Sequence, residues 1–269
     1  MKVSGVTSWR NEIDGALEKL ALGIHSGGSD LVKATQYVCS SGGKRLRGLL
    51  TLAVCSDLET TCMGKVPTRA LSTSVALEAL HAASLVHDDL PALDNDDMRR
   101  GKPSCHKAFG EATAILVGDV LQGAALHAVL ADEKLSTDAR ARIARILAGV
   151  WRDLCVGQQL DLSMKTGANS SDLAEMIRLK TGVLFGAAAA CGAVCAGARE
   201  ERVERFFSWG TRVGECFQVL DDLIDGDAPQ SEKPRVVARC GVVCRELEDV
   251  FGLSGDASTS IVSAMILHP

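Results

Sequence analysis

Thr181–Ala198 reads TGVLFGAAAACGAVCAGA, an uncharged stretch of eighteen residues between Lys180 and Arg199. Its length reaches the lower limit for a helix that crosses a bilayer. Most of it is Ala, Gly and Cys, so partition into lipid would be weakly driven. A helix apolar on every side is otherwise found at the centre of a water-soluble bundle. The stretch is therefore expected to be a buried helix, with no membrane span.

On both sides of it apolar residues recur at three- and four-residue spacing, and no convincing run alternates in the manner of a strand. Helices are predicted over Trp9–His25, Asp30–Cys39, Lys44–Leu58, Pro67–Asp89, Glu111–Leu130 and Thr137–Met164. Further helices are predicted over Ser171–Gly186, Ala187–Ala198, Glu201–Asp225 and Pro234–Phe251. Breaks rich in Gly, Ser, Pro or Asp separate most of them, at Gly27-Gly28-Ser29, Leu90–Pro103, Gly167–Ser171 and Gly226–Pro229. None is long or biased enough for a linker. The 269 residues read as one all-α domain of about ten helices.

Composition agrees. Hydrophobic residues are 46% and charged residues 23%, which excludes a disordered or collagen-like chain. A net charge of −5 argues against a nucleic-acid partner. Aromatics are only 4%, so the core is expected to consist of small aliphatic side chains on closely packed helices. The ten cysteines are scattered, and Met1–Arg10 carries no charged and then apolar leader. A reducing, cytoplasmic setting is expected, or a plastid if a plant transit peptide has been removed.

The strongest chemical feature is HDDLPALDNDDMRRG, His87–Gly101, with five aspartates in ten residues. Pro91 stops the preceding apolar helix just past the first acidic pair. Carboxylates at a helix mouth are hard oxygen ligands suited to Mg²⁺, which takes one or two of them together with substrate phosphates. Arg99 and Arg100 suit the same phosphates through their two-pronged guanidinium groups. An EF-hand is ruled out, because Met98 stands where a third ligand belongs and the loop lacks its terminal Glu.

Far downstream, FQVLDDLID (Phe217–Asp225) sets Gln218, Asp221 and Asp225 on one helix face, a costly pairing of like charges unless a cation lies between them. Gly42-Gly43-Lys44-Arg45-Leu46-Arg47 is expected to open a helix with Lys44 and Arg47 on one face, where free N–H groups favour an anion. It lacks the order of a Walker loop. Lys180-Thr181 begins the apolar stretch. Gln158-Gln159-Leu160-Asp161 lies in an otherwise apolar helix, either as a satisfied core network or as the lining of a cavity.

In this order and at these intervals, GGKRLR, HDDLPALDNDDMRRGKP, GQQLDL, LKTG and FQVLDDLID resemble the trans-isoprenyl diphosphate synthases, short-chain branch, with the four-residue gap of a DDxxxxD motif. The similarity covers about residues 10 to 226. It implies an isoprenoid synthase-type helical bundle around a central cavity, normally a homodimer and in some relatives a heteromer with a related synthase. It also implies the substrates, isopentenyl diphosphate and an allylic diphosphate. By the same resemblance Asp88, Asp94, Asp221 and Asp225 hold Mg²⁺, three ions per site in the family, and Asp89, Asp222 and Lys180 join the catalytic set. Arg99 and Lys180 are expected to hold the allylic diphosphate. Lys44, Arg47, His81 and Arg100 are expected on isopentenyl diphosphate, with Thr181 and Gln218 along the cation path. Product length is set in the family by bulk just upstream of the first motif. Ala83 and Ser84 are small there, which points to C20 over C15.

Two departures leave a rival reading. Beyond Asp225 the family's usual lysine segment is replaced by Gly226–Arg235, in which Lys233 or Arg235 is a candidate substitute, and from about residue 227 the chain diverges and is short. Gly48 stands where the family has proline. Cys191-Gly-Ala-Val-Cys195, repeated as Cys240-Gly-Val-Val-Cys244, is a helix seam of small residues. It also resembles a motif of non-catalytic small subunits that modulate geranylgeranyl diphosphate synthases. A class I terpene cyclase fits less well, because two basic sites imply two diphosphates.

Overall fold

The computed structural model describes residues 3–24, 29–59, 66–165 and 173–225, with residues 238, 241–243 and 246. The element order is α1 (Val3–Leu22), α2 (Asp30–Cys39), α3 (Leu46–Leu58), a 3₁₀ turn (Thr68–Ala70), α4 (Leu71–Asp88), and a hairpin of β1 (Met98–Arg99) with β2 (Lys102–Pro103). It continues through α5 (Cys105–Phe109), α6 (Glu111–Leu130), α7 (Thr137–Lys165), α8 (Leu173–Ile177), a π-helical turn (Arg178–Gly182), α9 (Val183–Cys195) and α10 (Glu200–Asp225). Most of the predicted helix at Pro234–Phe251 lies outside the described residues, as do Lys233, Arg235, Cys240 and Cys244.

The apolar stretch takes the expected place. Every residue of α9 from Val183 to Cys195 is buried, and the helix packs against α3, α4, α7 and α10. Small side chains permit this approach: a Cβ on Gly210 of α10 would sit 2.6 Å from the Phe185 carbonyl oxygen. The largest fully buried side chains are nonetheless aromatic, Trp9, Trp209, Phe185 and Phe206, among many Ala, Val and Leu.

Three local departures from the sequence reading have physical causes. The predicted break between Gly186 and Ala187 is absent, because those residues are buried inside α9, and the irregularity falls earlier, at the π turn. A two-stranded ladder appears at Met98–Arg99 and Lys102–Pro103. Arg100 (φ 53°) and Gly101 (φ 76°) give it a left-handed two-residue turn, too short for an alternating pattern to announce. Finally, α3 starts at Leu46 and not at Lys44, because Arg45 is left-handed (φ 52°) and cannot continue a helix backward.

Candidate active site

Four element ends meet at one cavity of about 640 Å³: the start of α3, the end of α4, the π turn and the last turns of α10. Its lining carries six cationic side chains, Lys44, Arg45, Arg47, Arg99, Arg100 and Lys180, against three acidic ones, Glu78, Asp88 and Asp221. That excess is opposite in sign to the chain's net charge of −5, so the cavity concentrates anions in an acidic protein.

The basic wall begins with a curled loop. Gly42 (φ 76°) and Gly43 (φ 128°) precede the left-handed Arg45, so Lys44 lies in the loop and does not share a helix face with Arg47. Both still line the cavity. Arg45 turns inward instead, donating to Asp14 at 2.7 Å and to the Cys39 carbonyl at 2.8 Å. Arg100 donates back to the Gly42 carbonyl at 2.5 Å. Arg47 stacks its guanidinium 4.4 Å over the Phe185 ring, and its Nε is buried without a hydrogen-bond partner. Burial lowers the Arg47 pKa to about 10, with Arg100 pushing the same way. Burial first, then Arg47 and Arg100, push the His81 imidazole well below its usual value, so it is neutral. This wall is short of negative charge, the condition an anionic ligand relieves.

The acidic wall comes from α4 and the loop behind Pro91. The Asp94 N–H donates to the Asp88 carbonyl at 2.8 Å, folding the four-residue gap so that both carboxylates stay near the helix mouth. Asp88 faces the cavity, and burial, helped by Asp94 and Asp89 and opposed by Lys180, raises its pKa to about 6. Asp89 does not face the cavity. It is 2% exposed and accepts from Arg99 Nε at 2.9 Å, so it orients the arginine.

Asp94 is held in a charge ring: Lys165 lies 2.7 Å from Asp94 and 3.4 Å from Asp161, and Lys180 lies 2.6 Å from Asp161 and 3.8 Å from Asp94. Gly157 admits the π turn against α7, since a Cβ there would meet the Lys180 backbone nitrogen at 2.5 Å. On α10, Asp221 lines the cavity. Gln218 accepts from the Thr181 hydroxyl at 2.9 Å and donates to Asp222 at 2.8 Å. The Asp225 side chain lies outside the described residues.

Of the residues singled out in sequence, Lys44, Arg47, His81, Ser84, Asp88, Arg99, Arg100, Lys180, Thr181, Gln218 and Asp221 share the cavity. Asp89, Asp94, Asp222 and Ala83 do not line it, and Ala83 is 0% exposed within the core. Glu78 and Lys165 escaped the sequence reading. Lys165 is four residues after Asp161 and Glu78 three before His81, spacings that place each beside a motif residue on its helix.

Among the described residues no three His, Cys, Asp or Glu side chains converge as a ready-made metal site. The donor set nonetheless fits Mg²⁺, which characteristically takes one or two carboxylates and completes its shell with water and phosphate oxygens. Asp88 and Asp221 offer separate carboxylates to the same cavity as the basic wall.

Comparison with known proteins follows the same lines. The polyprenyl synthetase family profile matches residues 29–237. A farnesyl diphosphate synthase of Haemophilus influenzae is 38% identical over 254 residues, 91% of this chain and 84% of its own. A geranylgeranyl diphosphate synthase of Cyanophora paradoxa is 40% identical over 195 residues, 71% of this chain; the aligned part is 63% of that relative's length. A solved geranyltransferase from Legionella pneumophila superposes with a TM-score of 0.85 at 31% identity, over 97% of this chain and 95% of its own. An FPP/GFPP synthase from Zymomonas mobilis gives 0.84 at 28% identity, over 100% and 99% of the two chains. With its all-α bundle, five ordered motifs and a cavity walled by basic and acidic side chains, the chain belongs to the polyprenyl synthetase family and is a prenyltransferase.

Proposed function

We propose that the chain catalyses Mg²⁺-dependent head-to-tail condensation of isopentenyl diphosphate with an allylic diphosphate, giving a short-chain prenyl diphosphate, C20 in preference to C15. The observation that carries this reading is the one cavity in which Asp88 and Asp221, 133 positions apart in sequence, face Lys44, Arg47, Arg99 and Arg100. An intact donor set favours a catalytic chain over a modulating subunit.

Two diphosphates bring about six negative charges, and like charges 4 Å apart repel by ~4 kcal/mol at an effective dielectric of ~20, so cations must assemble the complex. Arg99 and Lys180 hold the allylic diphosphate. Lys44, Arg47, His81 and Arg100 hold isopentenyl diphosphate, His81 as a neutral partner. Asp88, Asp94, Asp221 and Asp225 would hold magnesium, three ions by analogy, with Asp89 and Asp222 supporting them. Magnesium supplies Lewis-acid stabilisation of the leaving diphosphate.

The allylic C–O bond breaks heterolytically and its electron pair leaves with the diphosphate. The double bond of isopentenyl diphosphate then attacks the allylic carbon, and the released diphosphate takes the proton lost from C2. Thr181 and Gln218, hydrogen-bonded to each other, flank the cation, while Leu154, Leu184 and Phe217 keep water from it.

One domain spanning residues 1–269, working in a reducing cytoplasm, carries this activity. A homodimer is supported by α6, whose Ile115, Leu116 and Leu130 stay exposed although the helix is strongly apolar. The test is turnover of the purified chain with Mg²⁺, isopentenyl diphosphate and dimethylallyl, geranyl or farnesyl diphosphate, with products read by mass spectrometry. Asp88→Asn and Asp221→Asn should each lower kcat about a hundredfold or more, and Arg47→Gln should raise KM for isopentenyl diphosphate most. Turnover that needs a second subunit, or hydrocarbon formed without isopentenyl diphosphate, would overturn the reading.

A further inference from the structure

Two basic arms border the cavity, the loop at Gly42-Gly43-Lys44 and the hairpin of β1 and β2 that carries Arg99 and Arg100. Each strand of the hairpin has two residues. A ribbon that short does not hold its shape in water unaided, so its arginines are only as well placed as its anchors allow. Arg99 has an anchor of its own on α4, donating from Nε to the buried Asp89 at 2.9 Å. Arg100 leans on the other arm. It donates to the Gly42 carbonyl, and a Cβ on Gly43 would lie 2.9 Å from its Cζ.

Tyr37, in the last turn of α2, holds both arms and lies outside the cavity. Its main chain serves the loop: the Tyr37 carbonyl accepts from Ser40 Oγ at 3.3 Å and from Ser41 Oγ at 2.6 Å, just ahead of Gly42. Its side chain serves the hairpin. The phenol hydroxyl donates to the Pro103 carbonyl of β2 at 2.7 Å, and Lys102 Nζ lies 5.8 Å from the ring centroid. Phe109 of α5 meets the same ring edge to face, with centroids 5.4 Å apart. Tyr37, Ser41, Asp89, Arg99, Arg100 and Pro103 help to line a hollow of only about 40 Å³, so the two arms are packed together and not merely bridged.

We propose that Tyr37 is the positioning residue for Arg100: it locks the hairpin to the loop and so fixes the guanidinium that receives isopentenyl diphosphate. This role rests on the ligand assignment above and adds the residue that holds one of its arms. Because Asp89 secures Arg99 independently, loss of the phenol hydroxyl falls on isopentenyl diphosphate and spares the allylic substrate. A side chain that places a binding group and touches no reacting atom acts on affinity more than on turnover.

Tyr37→Phe removes the hydroxyl and keeps the ring. Isopentenyl diphosphate without a primer cannot turn over, so its Kd for the purified chain is read by calorimetry apart from catalysis. The variant should bind it about threefold to tenfold more weakly, the net worth of one hydrogen bond. Its kcat and its KM for the allylic diphosphate should change by less than about twofold. In an Arg100→Gln background the same substitution should weaken binding by less than about twofold, because residues that act through one contact do not add. Tyr37 is the chain's one tyrosine, so fluorotyrosine labelling supplies a single fluorine resonance at the joint, and it should shift on saturation with isopentenyl diphosphate. Equal losses for both substrates, full additivity with Arg100→Gln, or a resonance unmoved at saturation would each overturn the proposal. Should Tyr37→Phe fail to fold, the labelled wild type decides. A wild type that binds isopentenyl diphosphate yet condenses it with no primer would instead sink the catalytic reading, and the affinities and the resonance would still judge Tyr37. A wild type that does not bind it would overturn both.

Discussion

Two ion pairs beside the cavity show how burial decides the value of a charge. The Arg45 side chain is 4% exposed and satisfies Asp14, the Cys39 carbonyl and, at 3.9 Å, the buried Glu78. Removing it strands those groups, so Arg45→Ala should destabilise the fold by about 3–5 kcal/mol in urea titration. The Lys165 side chain is 51% exposed, water screens its pairs, and Lys165→Ala should cost less than about 1 kcal/mol. Gly48 illustrates a different dependence. Its N–H donates to Glu78 at 2.8 Å, and a Cβ would lie 2.7 Å from Ser74 Oγ. Gly48→Pro removes the donor and adds the bulk, so it should lower stability by about 3 kcal/mol, seen as a fall in Tm. The sequence marked Gly48 as odd and could not explain it, because its partner is thirty residues away on another helix. The acidic and basic motifs were legible because each is local in sequence, although Lys44 and Arg47 do not share the helix face that their spacing suggested. The ring joining Asp94, Asp161, Lys165 and Lys180 was not, since it needs the register of three elements.

At the scale of helices, the buried thiols set an alkaline limit. Burial pushes the thiols of Cys39 in α2 and Cys105 in α5 to about 11, that of Cys195 in α9 to about 12, and that of Cys191 well above its usual value. In the unfolded chain they ionise near 8.5. The unfolded state therefore loses protons first as pH rises. The stability contributed by the neutral thiols is complete below about pH 8 and is lost progressively through pH 9 to 11, by at most about 3 kcal/mol per two-unit shift. Urea midpoints should fall steadily between pH 8 and pH 10.5, and a midpoint that stays level would contradict these burials. Helix identity and extent were readable from apolar spacing. The π turn was not, because its close approach to Gly157 of α7 is a contact between elements distant in sequence.

For the molecule as a whole, α6 is the unfinished surface. It is long and apolar enough to cross a membrane by composition, yet only a third of its apolar window is buried. With α9 central and covered, α6 is the element whose burial a second copy would complete. Leu116→Glu places a charge on that face and should convert a dimer to a monomer in sedimentation, while circular dichroism stays helical. The sequence reading singled out the helix that proved buried and overlooked α6, because hydropathy alone does not distinguish a core from an interface.

The uncharged run through α9 also bears on biogenesis. α10, one of its main covers, is synthesised after it. Until the ribosome has delivered residue 225, the emerging polypeptide therefore displays a segment that signal-recognition and chaperone machinery would read as greasy. The buried state of α9 is thus complete only once α10 has been made and has docked.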